Sequence, residues 1–472
     1  MKMNLLELYP TLGLNAEVLG ITANSKRVKK NYIFVAIKGN KHNGKKYIKE
    51  ALDNGACLIV TDQMVLKNYN HIRVRNAKRE YIRLLQEFYH YHHEIYTVGI
   101  TGTDGKTTTA NILNQIFDVA KSSAYIGTNG ISYLKKNIKT KHTTPTPDLF
   151  YEAYSVLKKH HINDLVMEVS SEGILDGRIE KLEFDGAIFT NLSHEHLNTH
   201  KTMDNYFKTK AKLFEGLKQT SLAVINSDDF YASEVAGYTK ARVVTYGIDT
   251  GIYQAKNIKL GLLSSEFDVY FKGLFLAHFK LPLFGKYNIY NALAAIAYAS
   301  ELGIDLKYIK QGIETLLPID GRFMHFKNKN NITGIVDFAH TPNALENLLK
   351  NIKEFKKGKI ISILGAQGEK DKSKRAKMGT IATTLSDITI FTSEDPKHES
   401  LFGILYDLTE DLKDKEYYMT LSRKEAITLA VKLASPNDII VITGKGNETS
   451  EQIYDFHFKH NDYTLLKNAL DA

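Results

Sequence analysis

The stretch GITGTDGKTTT, from Gly99 to Thr109, lies between two apolar segments of different periodicity. An extended run from Glu94 to Ile100 leads into it, and apolar residues recur at helical spacing from Ala110 to Val119 behind it. A strand, a glycine loop and a helix in this order bind phosphate, because the backbone N–H groups of the loop converge and the helix N-terminus adds positive potential. The stretch therefore predicts a phosphate-binding loop inside an α/β domain.

Two side chains of this loop are expected to act on the phosphates directly. Lys106 would reach the outer phosphates, and Thr107 would offer its hydroxyl to Mg²⁺. The strict pattern GxxxxGK[ST] is not met, because Ile100 stands where its first glycine should be. A glycine turn without a ligand is the alternative, but packing gives little reason for GKTTT to follow directly after a buried strand.

The composition limits the class of protein. At 472 residues the chain is too long for one core, so we expect two to four domains. The net charge of +9 suits an anionic substrate such as a nucleotide or a nucleic acid, and charge alone does not choose between them. The basic residues are scattered and rich in lysine rather than gathered in an arginine stripe with aromatic partners, which argues against nucleic-acid binding.

Cysteine usage and hydropathy indicate a cytoplasmic protein. The chain has one cysteine, Cys57, which rules out an internal disulfide and fits a reducing compartment. The N-terminus lacks a long apolar core, and no later run approaches the roughly 18 apolar residues of a membrane-spanning helix. We therefore expect no membrane insertion.

The order of strands and helices predicts three α/β domains. Residues 1–92 form a small N-terminal α/β domain, in which strand, helix and strand alternate from Tyr32 to Thr61. Residues 93–318 carry the phosphate loop, so we expect a central domain like that of P-loop ATPases. Residues 319–472 contain further strands that end in polar loops, which predicts a Rossmann-like C-terminal domain.

Glu168 is the first candidate metal ligand outside the loop. It lies near the end of a buried strand, Leu165 to Val169, where open α/β sheets place a magnesium ligand beside the phosphate loop. The segment SHEHLNTH, from Ser193 to His200, holds three histidines. Their spacing is not that of a zinc site and no second cluster accompanies them, so a solvent-exposed segment is an alternative to a metal site.

Lysines and asparagines on two predicted helices are further candidates. On the helix after this segment, Lys208 and Lys212 share a face while Lys210 lies roughly opposite, so a site that uses Lys210 leaves the other two solvated. On a later helix, Asn288 and Asn291 are three residues apart and share a face. They could hydrogen-bond a base or merely cap the helix.

Three loops of the C-terminal domain follow predicted strands and so share one rim of the sheet. The loops are GAQGEKDKSKR after Ile360 to Leu364, SEDPKHE after Asp387 to Thr392, and GKGNETS after Asp438 to Thr443. The first invites a dinucleotide interpretation, but GxxG without a third glycine, followed by a lysine-rich run, indicates NAD only weakly. The rim is where α/β sheets bind ligands.

Taken in order along the chain, these motifs resemble those of the Mur ligases, most closely the MurE enzymes. The motifs that carry the resemblance are NSKRV (24–28), FVAIKG (34–39), TGTDGKTTT (101–109), TTPTPDL (143–149), EVSS (168–171), GRI (177–179), FTNLSHEHL (189–197), GR (321–322), DFAHTPNAL (337–345), DKSKR (371–375) and GKGNE (444–448). Each alone indicates little, whereas eleven in one order indicate a family. Folylpolyglutamate synthetases share the central ATP domain but lack the N-terminal motifs and EVSS.

The resemblance implies an ATP-dependent, ADP-forming amide ligase of peptidoglycan synthesis that uses Mg²⁺. ATP would phosphorylate the free carboxylate of UDP-N-acetylmuramoyl-L-Ala-D-Glu, and the amine of a diamino acid would attack the acyl phosphate. Such chemistry needs charge neutralisation more than proton shuttling. The implied catalytic residues are Lys106, Glu168, His196 and Lys210. The implied metal ligands are Thr107, Glu168, His196 and a carbamylated Lys210.

The resemblance also implies the contacts to each substrate. For ATP they are Gly102, Thr103, Asp104, Gly105, Lys106, Thr107, Thr108, Asn291, Arg322, Asp337 and His340. For the UDP-linked substrate they are Ser25, Thr143, Thr144, Ser171 and Arg178. For the incoming amino acid they are Arg375, Glu394, Asp395, Lys397, Gly444 and Glu448.

The identity of the amino acid depends on the segment Glu394-Asp395-Pro396-Lys397. In MurE enzymes that use meso-diaminopimelate the equivalent segment is DNPR, whose arginine grips the distal carboxylate, and lysine-adding enzymes lack that arginine. Lys397 keeps the charge but loses the planar fork of arginine. We favour meso-diaminopimelate over L-lysine on this ground, and Lys397 pointing to solvent is the alternative.

Four residues depart from the family pattern and leave other functions open. Asp104 replaces an asparagine, Glu172 a histidine, Glu195 an aspartate and Asn447 a histidine, yet the phosphate lysine and the expected magnesium glutamate are kept. One alternative is a Mur-like ligase that acts on another carboxylate acceptor. A second is a non-catalytic nucleotide-binding protein on the same scaffold. We expect a monomer.

Overall fold

The computed structural model describes residues 1–39, 43–64, 69–193, 197–261, 264–412 and 415–471, without the side chains of residues 197 and 198. Each expected domain has a main sheet of its own, and the sheets follow one another along the chain. The α/β class with a small N-terminal domain, a central domain and a C-terminal domain is confirmed. The exact boundaries at residues 92 and 318 stay predictions.

The N-terminal domain is built on a small parallel sheet. Its strands in spatial order are Gly20–Thr22, Tyr32–Ala36, Ala56–Thr61 and His71–Arg73. A short antiparallel ladder joins Met3–Asn4 to Glu17–Val18. The helical segments are Leu5–Leu8, Pro10–Leu12, Ser25–Arg27, Gly44–Tyr47, Ile48–Asp53 and Ala77–Phe88. The last of them packs against the sheet and against the central domain, because its apolar face buries Leu84, Leu85 and Phe88.

The central domain is built on a long mixed sheet. Its strands in spatial order are Lys136–Ile138, Gly130–Tyr133, Ser123–Gly127, Asp164–Glu168, Tyr96–Thr101, Gly186–Phe189, Leu222–Asn226, Arg242–Gly247, Tyr253–Leu260, Ser265–Phe271 and Leu274–Leu281. Its helices are Lys106–Ala120, Pro147–Lys159, Ser171–Leu175, Leu197–His200, Met203–Glu215, Ala232–Gly237, Lys286–Glu301 and Leu306–Glu314. The strands from Ser123–Gly127 to Arg242–Gly247 run parallel and are covered on both faces, as parallel sheets require.

The sequence pattern predicted the phosphate-loop helix but placed its start too late. The helix begins at Lys106 rather than near Ala110, and the buried Thr107, Thr108 and Thr109 form its first turn. The pattern also missed the antiparallel extension from Tyr253 to Leu281, which lengthens the sheet beyond the parallel strands. The first difference arises because the threonines of the first turn are polar, so the apolar spacing on which the prediction rests begins only after them.

The C-terminal domain has a mostly parallel sheet. Its strands in spatial order are Met324–Lys327, Thr333–Asp337, Ile439–Thr443, Ile360–Leu364, Ile388–Phe391 and Tyr418–Met419. Its helices are Pro342–Phe355, Arg375–Leu385, Leu401–Thr409, Arg423–Leu433 and Asp462–Asp471. A hairpin of Ser450–Ile453 and Phe456–Lys459 follows the last parallel strand. The predicted strands of this domain are confirmed, and three of them end in the polar loops of the expected rim.

Candidate active site

The site is organised around three parallel strands that end at one edge of the central sheet. The strand Tyr96–Thr101 lies between Asp164–Glu168 and Gly186–Phe189. Register places Ile100 beside Glu168 and Thr101 beside Phe189, so the segments after all three strands emerge together. A crevice at the carboxyl ends of such strands is where open α/β sheets bind ligands.

Two glycines allow the loop to close over this edge. Gly102 has a φ of 152° and Gly105 a φ of 83°, values that side chains other than glycine rarely adopt. Space is also limiting, because a Cβ at Gly102 would overlap the Thr190 hydroxyl and one at Gly105 would overlap the Asn291 amide oxygen. The loop is therefore held against both the neighbouring strand and the helix Lys286–Glu301.

Lys106 lies folded over the loop at the start of the helix. Its Nζ donates to the Gly102 carbonyl at 2.9 Å and to the Thr103 carbonyl at 2.7 Å. The ammonium thereby lies against the loop, half-buried at the wall of the crevice. A phosphate at this position would meet both the ammonium and the helix N-terminus.

Glu168 is a fully buried carboxylate at the end of its strand, and it contacts Thr107. The Thr107 hydroxyl donates to Glu168 Oε2 at 2.9 Å, and the Thr128 backbone N–H donates to Oε1 at 3.0 Å. The Tyr125 hydroxyl also donates to Oε1, and burial together with this carboxylate raises the pKa of Tyr125 well above its usual value. Tyr125 and Thr128 were missed by the sequence analysis, because they come from a neighbouring strand and no motif marks them.

Lys210 is buried beneath the loop. Its side chain is on the inward face of the helix Met203–Glu215, while Lys208 and Lys212 are exposed, as the spacing predicted. Lys210 Nζ donates to the Gly102 carbonyl at 2.7 Å and lies 4.7 Å from the centre of the Tyr206 ring. Burial, reinforced by the charge of Lys106, lowers the pKa of the Lys210 ammonium well below its usual value, which shifts Lys210 toward its neutral amine.

Asp104 is the departure from the family pattern that lies inside the loop. Its backbone N–H donates to Asn191 Oδ1 at 2.9 Å, but among the described residues its own Oδ2 is buried without a hydrogen-bond partner. Burial raises the pKa of the Asp104 carboxyl, and the charges of Lys106 and Arg322 oppose that rise. The net charge at the phosphate loop therefore depends on whether the Asp104 carboxyl is ionised as well as on the cations around it.

The C-terminal domain brings an arginine and a histidine to the other wall of the crevice. Arg322 Nη2 lies 3.3 Å from the Thr107 hydroxyl, and its guanidinium stacks 5.0 Å from the Phe338 ring centre. Burial lowers the pKa of His340 to about 3, so its ring is neutral. Because His340 Nδ1 is 2.8 Å from the Phe338 carbonyl, an acceptor, Nδ1 carries the proton and Nε2 is left as an acceptor.

A cavity of about 610 Å³ joins these walls. Residues predicted for the site that line it are Thr103, Asp104, Gly105, Lys106, Thr107, Thr108, Thr143, Glu168, Ser171, Arg178, Lys210, Asn291, Arg322, Asp337, His340, Glu394 and Glu448. Predicted residues that do not line it are Gly102, Ser25, Thr144, Arg375, Asp395, Lys397 and Gly444. His196 lies outside the described residues. The structure thus brings the expected nucleotide residues together with two carboxylates of the C-terminal domain.

Several predicted residues outside the cavity have polar partners within the protein. Ser25 donates to Glu50 at 2.7 Å, and Thr144 Oγ1 accepts from the Ser170 backbone N–H at 2.9 Å. Arg375 has a fully buried side chain that pairs with Glu399 and Asp407, each at 2.8 Å. In this arrangement the Arg375 guanidinium faces carboxylates of its own domain.

The acidic residues of the C-terminal rim differ in their partners. Lys445 is fully buried and pairs with Asp395 at 2.7 Å and with Glu448 at 2.6 Å. It is the lysine of the motif GKGNE, and it was not among the residues predicted for the site. Glu394 is 2% exposed, lines the cavity, and has no hydrogen bond to another described residue. Burial raises the pKa of Glu394 to about 7. Glu394 therefore differs from Asp395 and Glu448 in that its carboxylate is not bound to Lys445 and is available to a ligand.

The described residues were searched for side chains that could hold a metal ion and for helices that could span a membrane. In the described ranges, no group of three or more His, Cys, Asp or Glu side chains is arranged to hold a metal ion. The helices in those ranges are all too short or too polar to cross a lipid bilayer. The oxygens of Thr107 and Glu168 are hard donors of the kind that Mg²⁺ prefers.

Comparison with known proteins identifies the family. The chain matches the Mur ligase family, catalytic domain over residues 17–90, the Mur ligase middle domain over 100–299, and the Mur ligase, glutamate ligase domain over 321–446. A relative from Halalkalibacterium halodurans, named UDP-N-acetylmuramoyl-L-alanyl-D-glutamate--2,6-diaminopimelate ligase, is 36% identical over 97% of this chain and 95% of its own length. The chain belongs to the Mur ligase family. The resemblance seen in the motifs is confirmed, and the chain is a member of a family of ATP-dependent ligases.

Other Mur ligases support the same relationship. The Clostridioides difficile protein of the same name is 36% identical over 97% of this chain and 96% of its own length. A solved structure with that name superimposes with a TM-score of 0.66 at 26% identity, covering 100% of this chain and 99% of its own. The MurF ligase of Thermotoga maritima shares the fold, with a TM-score of 0.68 at 21% identity over 90% of this chain and 93% of its own.

Proposed function

We propose that this Mur ligase uses ATP to join a diamino acid to the free carboxylate of UDP-N-acetylmuramoyl-L-Ala-D-Glu, as a step of peptidoglycan synthesis. The observation that carries the proposal is one cavity that is lined by the phosphate loop, by the Thr107–Glu168 pair and by Glu394, whose carboxylate has no hydrogen bond to another described residue. The relatives that are 36% identical over nearly their whole length carry the name of this reaction.

The first half of the reaction requires neutralisation of charge on ATP. The γ-phosphoryl group passes from ATP to the acceptor carboxylate, which leaves ADP and an acyl phosphate. Lys106 would offset the charge on the transferring group, and Arg322 would approach it from the C-terminal domain. Thr107 and Glu168 would hold Mg²⁺, which when bound supplies further charge neutralisation. Gly102, Thr103, Asp104, Gly105, Thr108, Asn291, Asp337 and His340 are the remaining residues that we assign to ATP.

Lys210 has the environment that carbamylation needs. A neutral amine attacks CO₂ to form an N–C bond and releases one proton, and burial of Lys210 favours the neutral amine. The resulting carbamate would give the site an anionic oxygen ligand beside the loop. We assign the carbamate, Glu168 and His196 to a second divalent ion.

The second half of the reaction forms the amide. The amine attacks the acyl carbon, a tetrahedral intermediate collapses, the C–O bond to phosphate breaks and inorganic phosphate leaves. We assign Glu394 and Glu448 to the distal ammonium of the diamino acid and Lys397 to its distal carboxylate. Arg375, Asp395 and Gly444 stay predictions for the same substrate, and Arg375 would first have to leave Glu399 and Asp407.

The proposal extends to the rest of the molecule. The UDP-linked substrate would contact Ser25, Thr143, Thr144, Ser171 and Arg178. Residues 1–92 would bind the UDP moiety, residues 93–318 ATP, and residues 319–472 the amino acid. We propose that the enzyme acts as a monomer in the cytoplasm, binds no nucleic acid and does not insert into a membrane.

Release of ADP tests the function and its alternatives. We expect ADP release from ATP and Mg²⁺ only when both UDP-N-acetylmuramoyl-L-Ala-D-Glu and a diamino acid are present. Release that needs an amino acid and a different carboxylate acceptor would favour a Mur-like ligase with another substrate. Binding of ATP without release under any of these conditions would favour a non-catalytic nucleotide-binding protein.

The amino acid is tested by comparing meso-diaminopimelate with L-lysine. A charge-assisted contact from Lys397 to the distal carboxylate would contribute on the order of 1.5 to 3 kcal/mol, or roughly ten- to hundredfold in kcat/KM. We expect meso-diaminopimelate to be preferred and Lys397→Ala to reduce that preference, with the exposed Lys424→Ala as control. A higher kcat/KM for L-lysine, or an unchanged preference in Lys397→Ala, would exclude this role.

A further inference from the structure

A buried serine–histidine pair lies at the edge of the cavity. Ser171 lines the cavity and begins the helix Ser171–Leu175, and its Oγ is 3.0 Å from His200 Nε2. Both side chains are nearly inaccessible, with exposed fractions of 3% and 4%. His200 is the last histidine of the segment SHEHLNTH and has no role in the function proposed above. The contact therefore links an unassigned residue to one that faces the substrate.

The hydrogen bonds of Thr209 decide which nitrogen of His200 carries the proton. A threonine hydroxyl has one hydrogen, and Thr209 donates it to the Asn205 carbonyl at 2.7 Å. The same oxygen is 3.4 Å from His200 Nδ1, so toward the ring it can only accept, and Nδ1 must be the donor. Burial lowers the pKa of His200, so the ring is neutral at pH 7 and Nε2 has no proton.

The remaining contacts prevent the ring from turning away. The ring of Tyr206 packs against His200 with 4.8 Å between ring centres. Asn205 Nδ2 donates to the His200 carbonyl at 3.1 Å, which fixes the end of the short helix. Nε2 is thus held as an acceptor, and the Ser171 hydroxyl must donate its hydrogen to it. The hydroxyl then has only lone pairs to offer to the cavity.

We propose that His200 is a positioning residue that fixes Ser171 as a hydrogen-bond acceptor for an amide N–H of the acceptor substrate. The proposal rests on the proposed function, because the peptide part of UDP-N-acetylmuramoyl-L-Ala-D-Glu supplies such N–H groups. An oxygen whose hydrogen is already used repels a carboxylate or phosphate oxygen at the same position. Ser171 would therefore select the orientation in which the peptide, rather than a phosphate, lies against it.

The tautomer of His200 can be measured without any assay of activity. The full chain would be labelled with ¹⁵N-histidine, and among its 17 histidines the signals of His200 would be identified by their loss in His200→Gln and their displacement in Ser171→Ala. We expect the neutral ring with the proton on Nδ1. A proton on Nε2 would overturn the proposal, whether or not the chain proves to be a ligase.

Kinetics test what the pair does for the substrate. We expect Ser171→Ala and His200→Leu each to raise the KM for the UDP-linked acceptor roughly three- to tenfold, the value of one hydrogen bond, with the KM for ATP unchanged. His200→Gln should restore the acceptor KM, because its carboxamide oxygen can accept from Ser171. His200→Leu should add nothing in a Ser171→Ala background.

Other results would contradict the positioning role. A His200→Leu effect that persists in the Ser171→Ala background, or a His200→Gln variant as impaired as His200→Leu, would show that His200 acts on the fold rather than on Ser171. If His200→Leu does not fold, the tautomer of His200 and the comparison of His200→Gln with wild type still decide whether His200 positions Ser171. Absence of ligation in the wild type would overturn the proposed function and leave the tautomer measurement to stand alone.

Discussion

At the scale of single residues, Lys106 should separate catalysis from folding. Its Nζ binds loop carbonyls at 2.7 and 2.9 Å and lines the cavity, so its loss removes charge beside the transferring phosphoryl group. We expect Lys106→Ala to lower kcat for ADP release on the order of a hundredfold or more, or about 3 to 4 kcal/mol, with a near-normal Tm. The exposed Lys212→Ala is the control, and near-normal turnover in Lys106→Ala would contradict the assignment of this loop to ATP.

Lys210 gives a second prediction at this scale. If the buried amine is carbamylated, Lys210→Ala should be nearly inactive and partly rescued by small carboxylates, which restore an anionic oxygen ligand. Exposure to ¹³CO₂ should give a carbamate signal in ¹³C NMR spectra of the wild type that is absent from Lys210→Ala. Lys212→Ala, two residues away on the exposed face, should keep both the signal and the activity. Full activity of Lys210→Ala would exclude the role.

Glu394 predicts a pH dependence of amino-acid binding. Burial raises its pKa to about 7, so as pH falls through about 7 the carboxylate that would pair with an ammonium is protonated. We expect the KM for the amino acid to rise below that pH in the wild type. Glu394→Gln should have a KM roughly ten- to hundredfold higher that no longer changes between pH 6 and 8, and the exposed Glu410→Gln should match the wild type.

The same titration has an effect of opposite sign on stability. Because the pKa of Glu394 is higher in the folded chain than in the unfolded chain, folding binds a proton between pH 4.5 and about 7. Its contribution to the free energy of unfolding is therefore present at the acidic end and is lost as pH rises through that window. Glu394→Gln should remove this pH dependence of the free energy of unfolding in denaturation measurements. A pH profile of the amino-acid KM that is identical in wild type and Glu394→Gln would contradict the assignment of Glu394 to the amino acid.

At the scale of secondary-structure elements, the phosphate loop depends on the conformation of Gly105. A residue with a side chain at a φ of 83° is strained, and its Cβ would overlap the Asn291 amide. We expect Gly105→Ala to lower the free energy of unfolding by about 1 to 3 kcal/mol and to weaken ATP binding. Gly237→Ala is the matched control, since a Cβ there meets nothing within 4 Å and should leave stability equal or slightly higher. Equal effects of the two substitutions would contradict the strain argument.

At the scale of the whole molecule, Asp148 joins the first two domains. This buried carboxylate accepts from the Thr22 hydroxyl at 2.8 Å and from Arg27 at 2.5 Å, both in the N-terminal domain, and from Thr146 at 2.6 Å beside it. Asp148→Asn should lower the free energy of unfolding in urea by about 1 to 3 kcal/mol. Glu152→Gln, which removes an exposed partner of the same arginine, should cost less than about 1 kcal/mol. Equal losses would mean that Asp148 does not stabilise the contact between domains.

The sequence by itself determined the features that depend on contiguous residues. The phosphate loop, the position of Lys210 on the face opposite Lys208 and Lys212, and the strands that end at the rim could be predicted. Glycine geometry, helical period and apolar runs act over a few neighbouring positions. The order of eleven short motifs was enough to indicate the family before any fold was known. Local chemistry and motif order therefore determined the domain plan and the class of reaction.

Only the tertiary structure decided which polar and charged side chains are available to a substrate. Lys445 pairs with Asp395 across 50 residues of chain, and Ser171 contacts His200 across 29 residues. Arg375 forms ion pairs with Glu399 and Asp407. The extension from Tyr253 to Leu281 likewise formed against a sheet edge that the segment itself does not encode. Such contacts follow from the register of sheets and the packing of helices over long sequence separations, which a linear pattern does not specify.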